Sequence, residues 1–292
     1  MVTGTVGMIG LGDMGLPMAR HMVERGLEVV GCDVDAERRE QADAQGVVTA
    51  TGIAPLAEQA DILIACLRTD DQMESVAREL VEVRCSGQLL VVAGTHSLGL
   101  MERLAGLVEG TGFHLIDAPV VFGTTGAREG SLLSLCGGAA ADVERARPAL
   151  MGYSRDVEHV GPLGAGQLAK ACNNLLHWVH SVANFECLAL AKRYGVDAQR
   201  MREVLQKCPG DNGTLRRWDG SRFTWQEKDM DFVTDLAQQG GLMLPLTGLV
   251  DQLIKTMTAD DVAALLYGQE CSYLGQQIVP MARSGVGGLS AP

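Results

Sequence analysis

The stretch Val6-Gly7-Met8-Ile9-Gly10-Leu11-Gly12-Asp13-Met14-Gly15 decides the fold. An apolar run leads into Gly10-x-Gly12-x-x-Gly15, and a helical pattern over Leu16–Arg25 follows. That strand–turn–helix order is what a dinucleotide-binding loop requires. Gly10 makes the tight turn, Gly12 lets backbone approach a pyrophosphate, and Gly15 lets helix and strand pack closely. The pyrophosphate would rest on the helix start near Asp13, where free N–H groups and the helix dipole favour an anion. Gly10, Leu11, Gly12, Asp13 and Met14 are therefore the expected cradle. Glycine-rich loops are common, so the second half of the pattern matters. Asp33 closes the β-rich run Val29-Val30-Gly31-Cys32-Asp33, at the spacing where an acidic residue accepts hydrogen bonds from the adenosine ribose. A carboxylate there also repels a 2′-phosphate, so NAD is expected over NADP. Arg38 and Arg39 are the residues that could turn toward such a phosphate.

Short β-rich runs alternate with helical stretches through the first half. Candidate strands are Thr5–Ile9, Glu28–Cys32, Ile62–Leu67, Leu89–Ala93 and His114–Asp117, with helical patterns over Leu16–Arg25, Ala36–Ala44 and Gln72–Val83. Such alternation predicts βαβ units and a doubly wound parallel sheet of the Rossmann type. A further pair near Leu132–Cys136 and Val157–His159 is expected to extend it. Gly161-Pro162-Leu163-Gly164-Ala165-Gly166 breaks the pattern. Beyond it, Ala165–Tyr194 holds no proline and only Gly166, which predicts one long interdomain helix of about 43 Å at ~1.5 Å per residue, with Gly195 as its cap. The expected organisation is an α/β domain at 1–163 and an all-helical domain at 164–292, with a disordered tail over Ser284–Pro292.

Composition sets limits. No segment reaches the ~18 uninterrupted apolar residues of a membrane helix. The N-terminus lacks the basic-then-apolar layout of a signal peptide. Eight scattered cysteines show no CxxC pair and no Cys/His ligand cluster, which reads as reduced thiols in a cytoplasmic protein. A net charge of −12 with no basic block argues against nucleic acid as a partner.

Ligands of such sheets sit at the carboxyl ends of the strands. Leu67 and Arg68 end one strand and should pass near the cofactor. Arg68 fits either a ribose or pyrophosphate contact or a solvated helix start. Thr95-His96 ends another strand, and Thr95 should approach the nicotinamide. His96 is read as a surface loop histidine rather than an acid or base. On the long helix, Lys170 and Asn174 stand four residues apart and so share a face. A lysine beside a neutral amide can trade a proton with a substrate hydroxyl or carbonyl. Burial near a positively charged ring would lower its pKa from ~10.4 toward a useful ~7–8. His177-x-x-His180 lacks an evident third ligand, so no metal is expected.

Four ordered segments carry a resemblance: Gly10-Leu11-Gly12-Asp13-Met14-Gly15-Leu16-Pro17-Met18-Ala19; Asp117-Ala118-Pro119-Val120-Val121-Phe122-Gly123; Gly164-Ala165-Gly166-Gln167-Leu168-Ala169-Lys170-Ala171-Cys172-Asn173-Asn174; and Lys228-Asp229-Met230-Asp231-Phe232. Together they resemble the β-hydroxyacid dehydrogenase family over almost the whole chain. The resemblance implies NAD(P)-dependent hydride transfer to or from a hydroxy substrate. It implies Lys170 as general acid/base and Asn174 as its partner in orienting substrate. Lys228 is implied near the nicotinamide, and Val121, Phe122 and Gly123 at the substrate. It further implies a homodimer or homotetramer.

Two departures stand out. The family's Ser-Gly-Gly is here Val121-Phe122-Gly123, so a hydroxyl is lost and a ring takes a glycine site. This predicts an altered anion-binding geometry, or a less polar and larger substrate. The family's Asp and Ser before Thr95 are here Val92 and Gly94. Imine reductases share the fold, but most replace the lysine; a non-catalytic binding protein would also be expected to lose it. Retention of Lys170 argues against both.

Overall fold

The computed structural model describes residues 4–83, 87–220 and 222–281. The expected tail over Ser284–Pro292 and Cys85 lie outside the described residues. The chain divides into two compact units, Met1–Lys170 and Ala171–Pro292.

The first unit runs β1 (Val6–Ile9), α1 (Gly15–Glu24), β2 (Val29–Cys32), α2 (Ala36–Asp43), β3 (Val48–Thr49), α3 (Ile53–Ala57), β4 (Ile62–Ala65), α4 (Asp70–Val83), β5 (Leu89–Val92) and α5 (Leu98–Val108). It continues with β6 (His114–Asp117), β7 (Val120–Val121), α6 (Gly123–Glu129), β8 (Leu132–Gly137), α7 (Ala140–Leu150) and β9 (Ser154–Gly161). The sheet order is β3-β2-β1-β4-β5-β6-β8-β7, with β9 pairing β8. All neighbours from β3 to β6 are parallel, whereas β8 runs antiparallel to β6 and β7. Strand order reverses at β1, which makes the carboxyl ends of β1 and β4 the switch point where ligands of such sheets bind.

The central strands are buried on both faces, as a parallel sheet covered by helices requires. Side chains alternate between the faces. Met8, Ile64 and Val91 join Met18 and Met22 of α1 and Val143 and Leu150 of α7. Ile9, Leu63 and Leu90 join Met73 and Leu80 of α4 and Leu100 and Leu104 of α5. This is the three-layer Rossmann-type unit that the alternation predicts.

The long helix α8 (Ala165–Arg193) begins in the first unit and ends in the second. Gly195, with φ of +78°, follows it in the left-handed conformation that favours glycine after a helix. The second unit continues with α9 (Ala198–Leu205), α10 (Gly213–Arg216), α11 (Gln226–Gln239), α12 (Pro245–Ile254) and α13 (Ala259–Tyr267). Phe185 meets Trp218 edge-on at 6.1 Å in its core. Lys192 is buried, and its Nζ donates to Leu265 O (3.1 Å) and to Gly268 O, satisfying carbonyls at the end of α13. One feature departs from an all-helical half: β10 (Cys271–Tyr273) and β11 (Gln276–Ile278) form an antiparallel hairpin. Its Leu274-Gly275 turn has both φ values positive, and Leu-Gly lacks the Asn-Gly or Asp-Gly signal that marks such turns in a sequence. Among the described residues, no helix is long and apolar enough to cross a membrane.

Candidate active site

The strand registers bring the expected cofactor residues to one edge. Ile9 pairs with Cys32 and with Ala65, and Ala65 with Val92. Gly10, Asp33, Cys66 and Ala93 therefore leave the sheet at one level, and Leu67, Arg68 and Thr95 follow within two residues.

The glycine loop is shaped by contacts that a side chain would prevent. Gly10 has φ of +90°, and a Cβ on it would lie 2.6 Å from Cys66 O. A Cβ on Gly15 would lie 1.8 Å from Gly10 O, so only glycine lets α1 start this close to the strand. A Cβ on Gly12 would meet only Arg38 Nη1, at 3.2 Å. No side chain caps the start of α1 at Met14, so that end stays available to an anion. Asp33 is anchored to this loop. Leu11 N–H donates to its Oδ2 at 2.7 Å and Asp35 N–H to its Oδ1 at 3.0 Å. Arg38 Nη1 lies 3.6 Å from Asp33 Oδ2, and Arg39 donates to Asp33 O at 2.5 Å. A close-packed glycine turn, an uncapped helix start and a fixed carboxylate together fit a dinucleotide.

Asp117, at the end of β6, ties the start of α8 to the same unit. Gly164 N–H donates to its Oδ1 at 2.6 Å and Gln167 N–H to its Oδ2 at 2.7 Å. Burial pushes the Asp117 carboxyl up, and these backbone bonds pull against it. Glycines again make room: a Cβ on Gly166 would stand 2.7 Å from Asp117 Oδ2 and 2.2 Å from Leu135 O. Lys170, half-buried, lies three residues beyond Gln167 on this anchored turn.

His96 overturns its reading as a surface histidine. Its side chain has no exposure, and Nδ1 lies 2.9 Å from Asp70 Oδ1. Asp70 also accepts the Ser97 hydroxyl. These partners, His96 foremost, hold the Asp70 carboxyl down at about 2. A Cβ on Gly94 would lie 2.5 Å from His96 Nε2 and 2.6 Å from Leu67 O, so glycine at 94 makes room both for the ring and for the neighbouring backbone.

The Phe122 departure also reads differently in three dimensions. Phe122 has φ of +83° and ψ of +4°, so the chain keeps the left-handed course that suits glycine. Its ring packs against the core, under Arg155, whose Cζ lies 4.2 Å from the ring centroid. The hydroxyl is lost, and residue 122 makes a left-handed turn between Val121 and Gly123.

Asn174 and Lys228 belong to the helical unit. Asn174 is buried, and its Oδ1 accepts from Asn173 Nδ2 at 3.1 Å. Lys228 is exposed in the first turn of α11. Asp229 beside it accepts from Trp178 Nε1 at 3.1 Å. His177 pairs with Thr214 Oγ1 at 3.0 Å, and among the described residues no group of three His, Cys, Asp or Glu could hold a metal. Reading the residues singly missed Asp70 and Gln167. Gln167 stands inside the quoted Gly164–Asn174 segment, whereas nothing local marks Asp70.

Residues 5–161 match the model of the NAD-binding domain of 6-phosphogluconate dehydrogenase. Residues 164–265 match the NAD-binding model of NADP-dependent 3-hydroxyisobutyrate dehydrogenase. The chain belongs to the β-hydroxyacid dehydrogenase family. A 3-hydroxyisobutyrate dehydrogenase of Pseudomonas aeruginosa is 32% identical over 73% of this chain and 73% of its own length. An uncharacterized oxidoreductase of Shewanella frigidimarina is 31% identical over 87% of this chain and 92% of its own. The structure of Mycobacterium tuberculosis 3-hydroxyisobutyrate dehydrogenase with L-serine superposes with a TM-score of 0.81 at 26% identity, covering 90% of this chain and 98% of that one. This β-hydroxyacid dehydrogenase is thus an NAD(P)-dependent oxidoreductase of a small molecule, acting on a CH–OH group.

Proposed function

We propose that the chain is an NAD-preferring dehydrogenase of a small 3-hydroxy acid, with Lys170 as general acid/base. The observation that carries this is the anchoring of the Lys170 turn to Asp117, within the same compact unit as the glycine loop. When bound, the nicotinamide supplies the hydride acceptor in oxidation and the donor in reduction. Lys170 Nζ takes the proton from the substrate oxygen in oxidation and returns it in reduction. Asn174, one turn along the helix, orients the same oxygen. Val121–Gly123 forms the substrate loop, with a left-handed turn at 122. The substrate class is supported by the Pseudomonas relative, named for a 3-hydroxy acid, and by the Mycobacterium structure solved with L-serine, itself a 3-hydroxy acid.

NAD preference rests on Asp33, a carboxylate fixed at the ribose end and already paired with Arg38. Residues Gly10–Met14, Asp33, Leu67, Arg68 and Thr95 hold the cofactor, with Lys228 from the helical unit. That unit, Ala171–Pro292, also carries assembly into a homodimer or homotetramer. Support comes from Leu242, Met243, Leu246 and Leu249, apolar and exposed on and before α12. The charge of −12 supports a protein with no nucleic-acid partner, and the free cysteines support a cytoplasmic one.

The test is Lys170→Ala, assayed by NADH absorbance on a panel of 3-hydroxy acids, with NADP run in parallel. Turnover is expected to fall by about a thousandfold or more, while NAD binding by calorimetry stays within roughly threefold. Unchanged turnover would refute the role of Lys170. Equal kcat/KM with NADP would refute the preference for NAD.

A further inference from the structure

We propose that Gln167 is a positioning residue that holds the cofactor-facing Thr95 loop in register with the helix turn carrying Lys170. The proposal rests on the reading above for the roles of Thr95 and Lys170. Gln167 has no exposed surface, and its backbone N–H and both side-chain amide atoms are hydrogen-bonded. Its Nε2 donates to Gly94 O at 2.9 Å, and its Oε1 accepts from His96 N–H at 3.0 Å. Those two backbone groups flank Thr95. The amide therefore grips the loop on both sides of one residue, as a neighbouring strand would. The backbone N–H of Gln167 donates to Asp117 Oδ2, so the grip is itself fixed to the end of β6.

The loop is held from behind as well. His96 packs across Gly94 and pairs with Asp70 at the start of α4. Thr95 thus stands between two restraints, one from α8 and one from α4. Only the α8 restraint also bears on the base, because Gln167 and Lys170 are three residues apart on one helix face. Proton and hydride leave neighbouring atoms of the substrate, so the base and the cofactor edge must keep a fixed separation. A misplacement of about 1 Å can cost roughly a hundredfold in rate.

Gln167→Met keeps the length of the side chain and removes both bonds. Gln167→Glu keeps the acceptor for His96 N–H and loses the donor to Gly94 O. Three readouts apply to the full-length enzyme: kcat and KM on a 3-hydroxy acid, NAD affinity by calorimetry, and amide hydrogen exchange over 93–97. For Gln167→Met, kcat is expected to fall about ten- to a hundredfold with substrate KM within roughly threefold. NAD affinity should weaken about fivefold, and exchange over 93–97 should quicken at least about tenfold while β1 and β4 keep their protection. Gln167→Glu should lie between wild type and Gln167→Met, and it decides the matter if the methionine variant does not fold. A variant that melts earlier yet keeps wild-type kcat, NAD affinity and exchange over 93–97 would overturn the proposal. Were the wild type to oxidise no 3-hydroxy acid, the substrate reading would fall. The exchange and NAD readouts would still decide Gln167, and wild-type values in both would overturn it.

Discussion

Asp70→Asn measures how far the loop after β5 depends on one carboxylate. Asp70 Oδ1 lies 2.9 Å from His96 Nδ1, and Oδ2 accepts the Ser97 hydroxyl. The pair with His96 is the main reason the carboxyl sits at about 2 rather than at 3.8. At about 1.4 kcal/mol per pK unit, that drop sets a ceiling of roughly 2.5 kcal/mol on what the ionised form contributes. The side chain is 32% exposed. Solvent screening at such exposure reduces the figure to about 1–2 kcal/mol. The sign follows from the direction of the shift. A carboxyl held below its unfolded pKa stabilises the fold when ionised, so the contribution is whole at neutral pH. It is lost as pH falls through 3.8 toward 2. Urea denaturation of wild type and Asp70→Asn should therefore give a gap of about 1–2 kcal/mol at pH 7 and roughly half of it at pH 3. A gap that stays constant across that range, or none at pH 7, would refute the reasoning.

Gly12→Ala and Gly15→Ala should separate cofactor binding from folding. A Cβ on Gly12 meets only the tip of a flexible arginine, so the variant should melt like wild type while its NAD affinity falls at least about tenfold. A Cβ on Gly15 collides with Gly10 O, which should cost about 1–3 kcal/mol in denaturation; equal stability of the two variants would contradict the packing described for α1. At position 122, Ala should destabilise more than Gly by about 1 kcal/mol, because Ala keeps the positive-φ strain while losing the ring and Gly relieves it. An alanine variant as stable as the glycine variant would show that the turn is not strained.

What was legible in the sequence was mostly local. Gly10-x-Gly12-x-x-Gly15 and Asp33 could be read because a tight turn, a close helix and a strand-end carboxylate each leave a residue-type mark. The length of α8 could be read because a run of nearly thirty positions lacks a breaker. His96 could not be read in the same way. Its burial depends on Asp70, 26 residues earlier in the chain, and on an absent Cβ at Gly94. A histidine at a strand end looks the same whether its ring faces water or folds back over a glycine. Gln167 was hidden for the converse reason: it looks like any polar residue on a helix until both of its amide atoms are seen on the backbone flanking Thr95.

The two departures from the family pattern act differently on the backbone. At 94 a side chain is gone, and its space is taken by a histidine ring brought with its own carboxylate. At 122 a side chain has been gained, yet the backbone keeps the course that a glycine would take, and the ring lies under Arg155. At 122 the turn stays left-handed, whereas at 94 a Cβ would lie 2.6 Å from Leu67 O as well as against the histidine ring, so that loop follows a course only glycine allows. On the proposed reading, loss of the serine hydroxyl removes one polar group from the Val121–Gly123 loop while residue 122 keeps a left-handed turn. The proposed 3-hydroxy acid therefore rests on the family, and a substrate panel decides whether the lost hydroxyl shifts the preference toward a less polar or larger acid.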